Sequence, residues 1–205
     1  MLNKTLNLYN KFLKRKKIEN SQWVFWCKQN KTNKEKEEVI IEAVLTQQTN
    51  WNNVLKAMAN LKKAKKNSLR AISNTSLEKI QILIKPSGFY HLKAKYLKNL
   101  ANFFIVNGGI KNLEKIPTDI LRKKLLEING VGNETADSIL LYVFNRPIFV
   151  VDAYTKKWIK EFNLPVKNFS YIYLQKFFMK QLPKKTSFYQ QFHAKIVLYY
   201  KNNNQ

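Results

Sequence analysis

One cysteine, Cys27, stands in the 205 residues of the chain. That scarcity excludes an intrachain disulfide, a four-cysteine zinc site and a cysteine-held iron–sulfur cluster, and it fits a reducing intracellular compartment. No run of about eighteen or more apolar residues occurs, so no segment reads as a bilayer-spanning helix. The N-terminal stretch lacks the apolar centre of a secretory signal. Internal repeats and low-complexity linkers are missing too. Acidic residues are few, 13 Asp and Glu against 37 Lys and Arg, which leaves a formal charge of +24.

A surplus of that size repels itself in a compact chain and calls for a polyanion. Nucleic acid is the first candidate, because each neutralised phosphate releases a counterion and binding energy accumulates contact by contact. An anionic membrane surface is the second. Leu2, Leu6, Tyr9 and Leu13 recur at helical spacing, with Lys11, Lys14, Arg15, Lys16 and Lys17 close by. This suits either a basic helix lying on a membrane or an ordinary helix packed on the protein body. Basic residues run along the whole chain, which favours the second. Frequent Lys and Asn also match an AT-rich genome, so motifs rather than charge must identify the partner. With 45% apolar residues the chain can bury a core, as one domain or as two small lobes.

The apolar residues recur mostly at helical intervals, as in Val39, Ile40, Ala43, Val44 and then Val54, Ala57, Met58, Leu61. The fold class read from this pattern is all-α. Thr75 with Glu78 three residues on predicts a capping box opening the helix that holds Ile80, Leu83 and Ile84. Pro86-Ser87-Gly88 ends that helix. Leu92, Tyr96, Leu100 and Phe104 form the next face, which Asn107-Gly108-Gly109 stops. Pro117 opens a further helix carrying Leu121 and Leu125. Helical segments follow around Trp158, around Leu174, Phe177 and Phe178, and around Phe192, Ile196, Tyr199 and Tyr200. The Lys- and Asn-rich stretch from Lys28 to Lys36 has almost no apolar residues and reads as an exposed loop.

Between two apolar-faced helices lies Leu125-Leu126-Glu127-Ile128-Asn129-Gly130-Val131-Gly132-Asn133-Glu134-Thr135-Ala136-Asp137. Two glycines let the backbone turn sharply and present N–H groups at the start of the second helix, where the helix dipole favours an anion. Asn129, Gly130, Val131, Gly132 and Thr135 are the residues expected to seat a DNA phosphate, with Val131 pointing inward against Leu126 and Ile139. Gly-x-Gly alone fits any sharp helix–turn–helix corner. The longer pattern is more specific.

It is followed by Asn145-Arg146-Pro147-Ile148-Phe149-Val150-Val151-Asp152-Ala153-Tyr154. A second block runs Ala43-Val44-Leu45-Thr46-Gln47-Gln48-Thr49-Asn50-Trp51, and a third Ile84-Lys85-Pro86-Ser87-Gly88-Phe89-Tyr90-His91-Leu92-Lys93-Ala94-Lys95. Together these resemble the endonuclease III-like superfamily of helix-hairpin-helix DNA glycosylases, over nearly the full chain. The resemblance implies the helix-hairpin-helix DNA glycosylase fold, two helical lobes with a cleft between them. Residues 36–146 would form a central helical-bundle lobe ending in the hairpin, and 1–35 plus 147–205 a second lobe made by both chain ends. Asp152 would stand in the cleft. The partner implied is double-stranded DNA containing a damaged base, bound by a monomer in the cytoplasm, associated with the nucleoid and not with a membrane. No metal or organic cofactor is called for.

Breaking an N-glycosidic bond develops positive charge on the sugar, so a fixed carboxylate lowers the barrier and can orient water. Asp152 is the catalytic candidate, and it also suits the N-cap of the helix containing Trp158. Superfamily members that nick the strand use a lysine two positions after the second hairpin glycine, as the amine of a Schiff base. Glu134 stands there in this chain, so the resemblance implies hydrolysis that leaves an abasic site, unless Lys156 or another lysine substitutes. Gln48 matches the family's polar DNA wedge. Trp51 and the cluster Trp23, Phe25, Trp26 are candidates for sandwiching the extruded base, or else they are core. Aromatic faces attract the cationic charge of an alkylated purine.

The terminal block Phe192-His193-Ala194-Lys195-Ile196-Val197, taken with the other motifs, is most similar to bacterial 3-methyladenine DNA glycosylases of endonuclease III type. Excision of 3-methyladenine is the expected activity. Glu134, His193 and Lys195 are candidate supporting groups behind the pocket, or surface positions. A glycosylase for oxidised or mismatched bases is a rival in the same fold. A non-catalytic helix-hairpin-helix DNA-binding module is a rival of another kind, in which Asp152 would have no chemical task.

Overall fold

A computed structural model of the chain describes residues 4–14, 17–19 and 21–202. Among the described residues all regular structure is helical: α1 Lys4–Leu8, α2 Ser21–Trp26, α3 Asn33–Leu45, α4 Trp51–Lys63, α5 Leu69–Ser73, α6 Leu77–Ile84, α7 Tyr90–Val106, α8 Gly109–Leu113, α9 Thr118–Leu126, α10 Asn133–Tyr142, α11 Ala153–Glu161, α12 Tyr171–Gln181 and α13 Thr186–Asn202. None of these helices is long and apolar enough to cross a membrane. Most are also too short to persist alone in water, where about 12–15 residues is marginal, so burial of one face holds each in place.

The chain divides into two compact units, Asn30–Ile139 and Met1–Gln29 with Leu140–Gln205, and the second division falls inside α10. The sequence alone places these boundaries at 35/36 and 146/147. In the contiguous unit, Ile40, Ile41, Val44 and Leu45 of α3, Val54 and Leu61 of α4, and Leu97, Leu100 and Phe104 of α7 are buried. Each such side chain contributes about 1.5–3 kcal/mol by leaving water. In the other unit the core is aromatic: Phe149 stacks on Phe178 at 4.6 Å and meets Tyr189 edge-on at 5.7 Å. Tyr9, in the π-helical turn Tyr9–Leu13, lies 5.0 Å from Phe192.

Three local expectations need correction. The stretch from Lys28 to Lys36 is not all loop, because Thr32 opens α3 with a closed capping box: Glu35 N–H donates to Thr32 Oγ1, and Thr32 N–H to Glu35 Oε2. Two satisfied donors outweigh the lack of apolar residues in that first turn. The cap of α6 is Ser76, whose Oγ accepts from Lys79 N–H, so no box forms with Glu78. Thr75 instead donates its hydroxyl to Ala71 O at 2.6 Å. On α7 the buried stripe is Lys93, Ala94, Leu97, Leu100, Ala101 and Phe104, while Leu92 is exposed. Leu2, Arg15 and Lys16 of the basic N-terminal pattern lie outside the described residues.

Candidate active site

The hairpin between α9 and α10 is braced from three directions within its own unit. Gly130 has φ +96° and lies so close over Tyr96 that a Cβ there would be 2.1 Å from the ring's Cγ. Its carbonyl accepts from Gln47 Nε2 at 3.1 Å, and the same amide donates to Thr135 Oγ1 at 3.0 Å. Asn129 O accepts from Asn99 Nδ2 at 3.3 Å. Val131 is buried, with its N–H on Ile128 O at 2.9 Å. Arg122 of α9 grips α10 in a two-pronged ion pair, Nε to Asp137 Oδ1 at 2.7 Å and Nη2 to Asp137 Oδ2 at 3.0 Å. Its Nη2 also donates to Asn133 Oδ1 at 2.8 Å. Gly132, by contrast, has no atom within 4 Å of where a Cβ would stand. Backbone N–H groups at the start of a helix lack intrahelical acceptors, so the turn presents donors on a fixed frame. Thr135 is buried, and its hydroxyl serves the hairpin's interior through Gln47.

The loop from Thr46 to Asn50 joins α3 to α4 in the same unit. Gln48 is exposed at φ +50°, a conformation non-glycine residues adopt only when their surroundings impose it. Asn50 caps α4 by accepting from Asn53 N–H at 3.0 Å, which places Trp51, half-buried, at the first helical position. The base of this loop is held by Lys93, only 2% exposed, whose Nζ donates to Leu45 O at 2.8 Å and Ser87 O at 2.7 Å. Burial lowers its amine from the ordinary value to about 8. Beyond Ser87 comes Phe89, exposed and also left-handed at φ +46°.

Asp152 lies in the other unit, buried at the N-cap of α11. Its Oδ1 accepts from Thr155 N–H at 2.7 Å and from Thr155 Oγ1 at 2.8 Å. Its Oδ2 stands 3.5 Å from His193 Nε2. Burial pushes the carboxyl up, but hydrogen bonding from the His193 side and from the two Thr155 donors outweighs it and holds the group below its ordinary value. The carboxylate is therefore ionised at neutral pH. His193 Nδ1 is 2.7 Å from the hydroxyl of Tyr142. Around this pair pack Trp23, edge-on to the imidazole at 5.4 Å, and Trp26, 5.2 Å from Tyr142.

Asp152, His193, Trp23 and Trp26 are thus brought together in one unit. Phe25 is half-buried. Gln48, Trp51 and the exposed Glu134 belong to the other unit. Lys195 is directed elsewhere, donating to Lys14 O at 3.2 Å with its ammonium 5.6 Å from the ring centre of Tyr9. Sequence reasoning missed Gln47, Lys93, Arg122 and Tyr142. One of these had a signal: Asp137, an acid one turn before the apolar end of α10, demands a cation, which Arg122 supplies.

The family described as HhH-GPD superfamily base excision DNA repair protein matches residues 41–184. A Methanocaldococcus jannaschii protein that carries the name of a DNA repair glycosylase is 45% identical over 163 residues, 78% of this chain and 74% of its own. Endonuclease III of Bacillus subtilis is 30% identical over 108 residues, 53% of this chain and 47% of its own. The crystal structure of the H. pylori 3-methyladenine DNA glycosylase MagIII, bound to 1,N6-ethenoadenine, superposes with a TM-score of 0.72 at 31% identity. That superposition covers 81% of this chain and 85% of the H. pylori chain. The chain belongs to the HhH-GPD superfamily of base excision DNA repair proteins.

Proposed function

We propose that the protein is a monofunctional DNA glycosylase that hydrolytically excises alkylated bases, 3-methyladenine first, and leaves an abasic site. The observation that carries this reading is the buried Asp152 carboxylate, whose Oδ2 is not spent on the helix cap and faces His193, an imidazole packed against the Trp23 and Tyr142 rings. The glycosidic bond of a methylated purine breaks with its electron pair passing to the cationic base, which departs neutral. The sugar becomes oxocarbenium-like at that moment, and a fixed negative charge stabilises it. Water then adds at C1′ and gives up a proton. Because the leaving group already carries the charge, little acid catalysis is needed, and electron-rich aromatic faces favour the cationic base over its neutral parent.

The hairpin supplies the grip on a phosphate through Gly130 and Gly132, and Gln48 fills the gap left by the flipped nucleotide. Flipping costs a few kcal/mol, which stacking in the pocket returns. Glu134 replaces the amine that strand nicking requires, so the reaction stops at the abasic product. The protein acts as a monomer on double-stranded DNA in the cytoplasm. The test is base release from methylated duplex DNA by the native protein and by Asp152→Asn. The expected result is 3-methyladenine from the native protein only, with strands breaking only after alkali. DNA binding without release of any base makes the chain a binding module instead.

A further inference from the structure

We propose that Tyr142 and His193 are positioning residues for Asp152: the phenol locks the imidazole in the tautomer whose Nε2–H faces the carboxylate. Asp152 is then oriented by a neutral donor and keeps its full charge for the sugar. The proposal rests on the reading of Asp152 given above.

The argument is a count of protons. Both Thr155 donors go to Oδ1 of Asp152, which leaves Oδ2 with His193 Nε2 at 3.5 Å. The Tyr142 hydroxyl has one proton and two neighbours that accept, His193 Nδ1 at 2.7 Å and Gln190 O at 3.3 Å. If the proton goes to Gln190, Nδ1 must carry the ring's proton, and a neutral imidazole then turns its Nε2 lone pair toward a carboxylate. If it goes to Nδ1, the shorter contact, Nε2–H faces Oδ2 across 3.5 Å and no lone pair is set against the carboxylate. Burial, with the potentials of Cys27 and Asp152 adding to it, raises the Tyr142 phenol well above its ordinary value, so it remains a donor.

A second proton on His193 changes the chemistry. An imidazolium beside Asp152 cancels the negative charge the sugar needs and repels the developing cation. Among the described residues, few charged groups face this pair. Tyr142 approaches from α10 and Asp152 from the cap of α11, while Trp23 of α2 presents only an edge. Cys27, just past α2, acts on Tyr142. On α13 itself, Asp152 draws up the Lys201 amine that burial lowers, and Lys195 points to Lys14 O. Protonation of His193 therefore produces an acid limb in the rate.

Two measurements test this. The chain has two histidines, and His193→Gln assigns their side-chain 15N resonances. The native protein should show the Nε2–H tautomer at His193, and Tyr142→Phe should mix or reverse it. A native Nδ1–H tautomer, or one unmoved by Tyr142→Phe, overturns the proposal, whether or not Asp152→Asn is inactive. Single-turnover base release should rise with pH to a plateau. His193→Ala should lower the plateau about ten- to hundredfold, the equivalent of one hydrogen bond to a charged group. His193→Gln, whose amide reaches the Nε2 position, should recover most of that loss and show no acid limb. An acid limb that persists in His193→Gln refutes the role. Base release that survives Asp152→Asn removes the reading of Asp152 instead, and the tautomer measurement still decides the lock.

Discussion

The two hairpin glycines make different demands, and exchanging each for alanine separates them. Gly130→Ala places a side chain at φ +96°, with a Cβ 2.1 Å from Cγ and 2.2 Å from Cδ1 of Tyr96. Left-handed backbone costs an L residue about 1–2 kcal/mol, and forcing the half-buried tyrosine aside adds about 1–3 kcal/mol. The sum is a loss of about 2–5 kcal/mol in stability. Gly132→Ala meets nothing within 4 Å and needs no unusual φ. At a helix N-cap alanine is worse than glycine by about 0.5–1 kcal/mol, which the stiffer unfolded chain offsets by about 0.4–1 kcal/mol.

Stability of Gly132→Ala should therefore stay within about 0.5 kcal/mol of native. Its DNA affinity should not, because on the proposed reading the new methyl stands where a phosphate would approach the amides. Loss of one charge-assisted hydrogen bond predicts about ten- to hundredfold weaker binding, with the salt slope reduced by about one ion. Urea midpoints and fluorescence anisotropy with duplex DNA between about 50 and 200 mM salt read both quantities. A Gly132→Ala protein that binds like native at every salt concentration shows that no phosphate sits on this turn. A Gly130→Ala shift below about 1 kcal/mol refutes the close approach of Tyr96.

Other outcomes follow from the same geometry. Arg122→Met takes a two-pronged partner from the fully buried Asp137 and should cost about 3–5 kcal/mol in urea unfolding. The Arg122→Met/Asp137→Leu double variant should regain part of that loss, and strictly additive losses would show the pair is uncoupled. Lys93 gives a pH signature: its folded amine titrates at about 8 against an ordinary 10.5, so between these values the unfolded chain holds the extra proton. Its contribution to stability therefore rises with pH across that window and is flat below it. Comparison of urea midpoints with Lys93→Met isolates that rise, and identical pH curves refute the assignment. Borohydride should trap no covalent complex between the native protein and damaged DNA, since Glu134 offers no amine. A trapped complex identifies another lysine, Lys156 foremost, as a nucleophile.

What could be read from the sequence divides by range. The hairpin was legible because glycines and a capping position are local demands on the backbone, expressed within a dozen residues. Asp152 was legible in the same way, as an acid immediately before a helix. Lys93 was not: it stands among Lys85, Lys95 and Lys98, and its burial is decided by two carbonyls supplied by Leu45 and Ser87. Tyr142 lies inside the apolar run from Ile139 to Phe144 and is indistinguishable there from core packing. The role proposed for it rests on α13, which delivers His193 Nδ1 to its hydroxyl. Gln47 and Gln48 are adjacent and chemically identical. The left-handed turn at Gln48 exposes that residue, while Gln47 bonds to the hairpin, a choice no residue pattern records. Leu92 was assigned to the buried face of α7 because four-residue spacing drifts around a helix of 3.6 residues per turn.

The division of the chain has a consequence during synthesis. Residues 30–139 are contiguous, so the ribosome releases everything this unit requires before the rest of the other unit exists. Tyr9 and Thr5 must wait for Phe192 and Gln181, their partners near the far end of the chain. For the time needed to translate more than a hundred residues, at about 5–20 per second, the N-terminal segment is an unpaired, basic and partly apolar strand of polypeptide. A nascent chain arrested before α13 should therefore show a protease-resistant centre and a cleavable beginning. Asp152, translated only after the contiguous unit is complete, acquires its His193 neighbour among the last of its contacts.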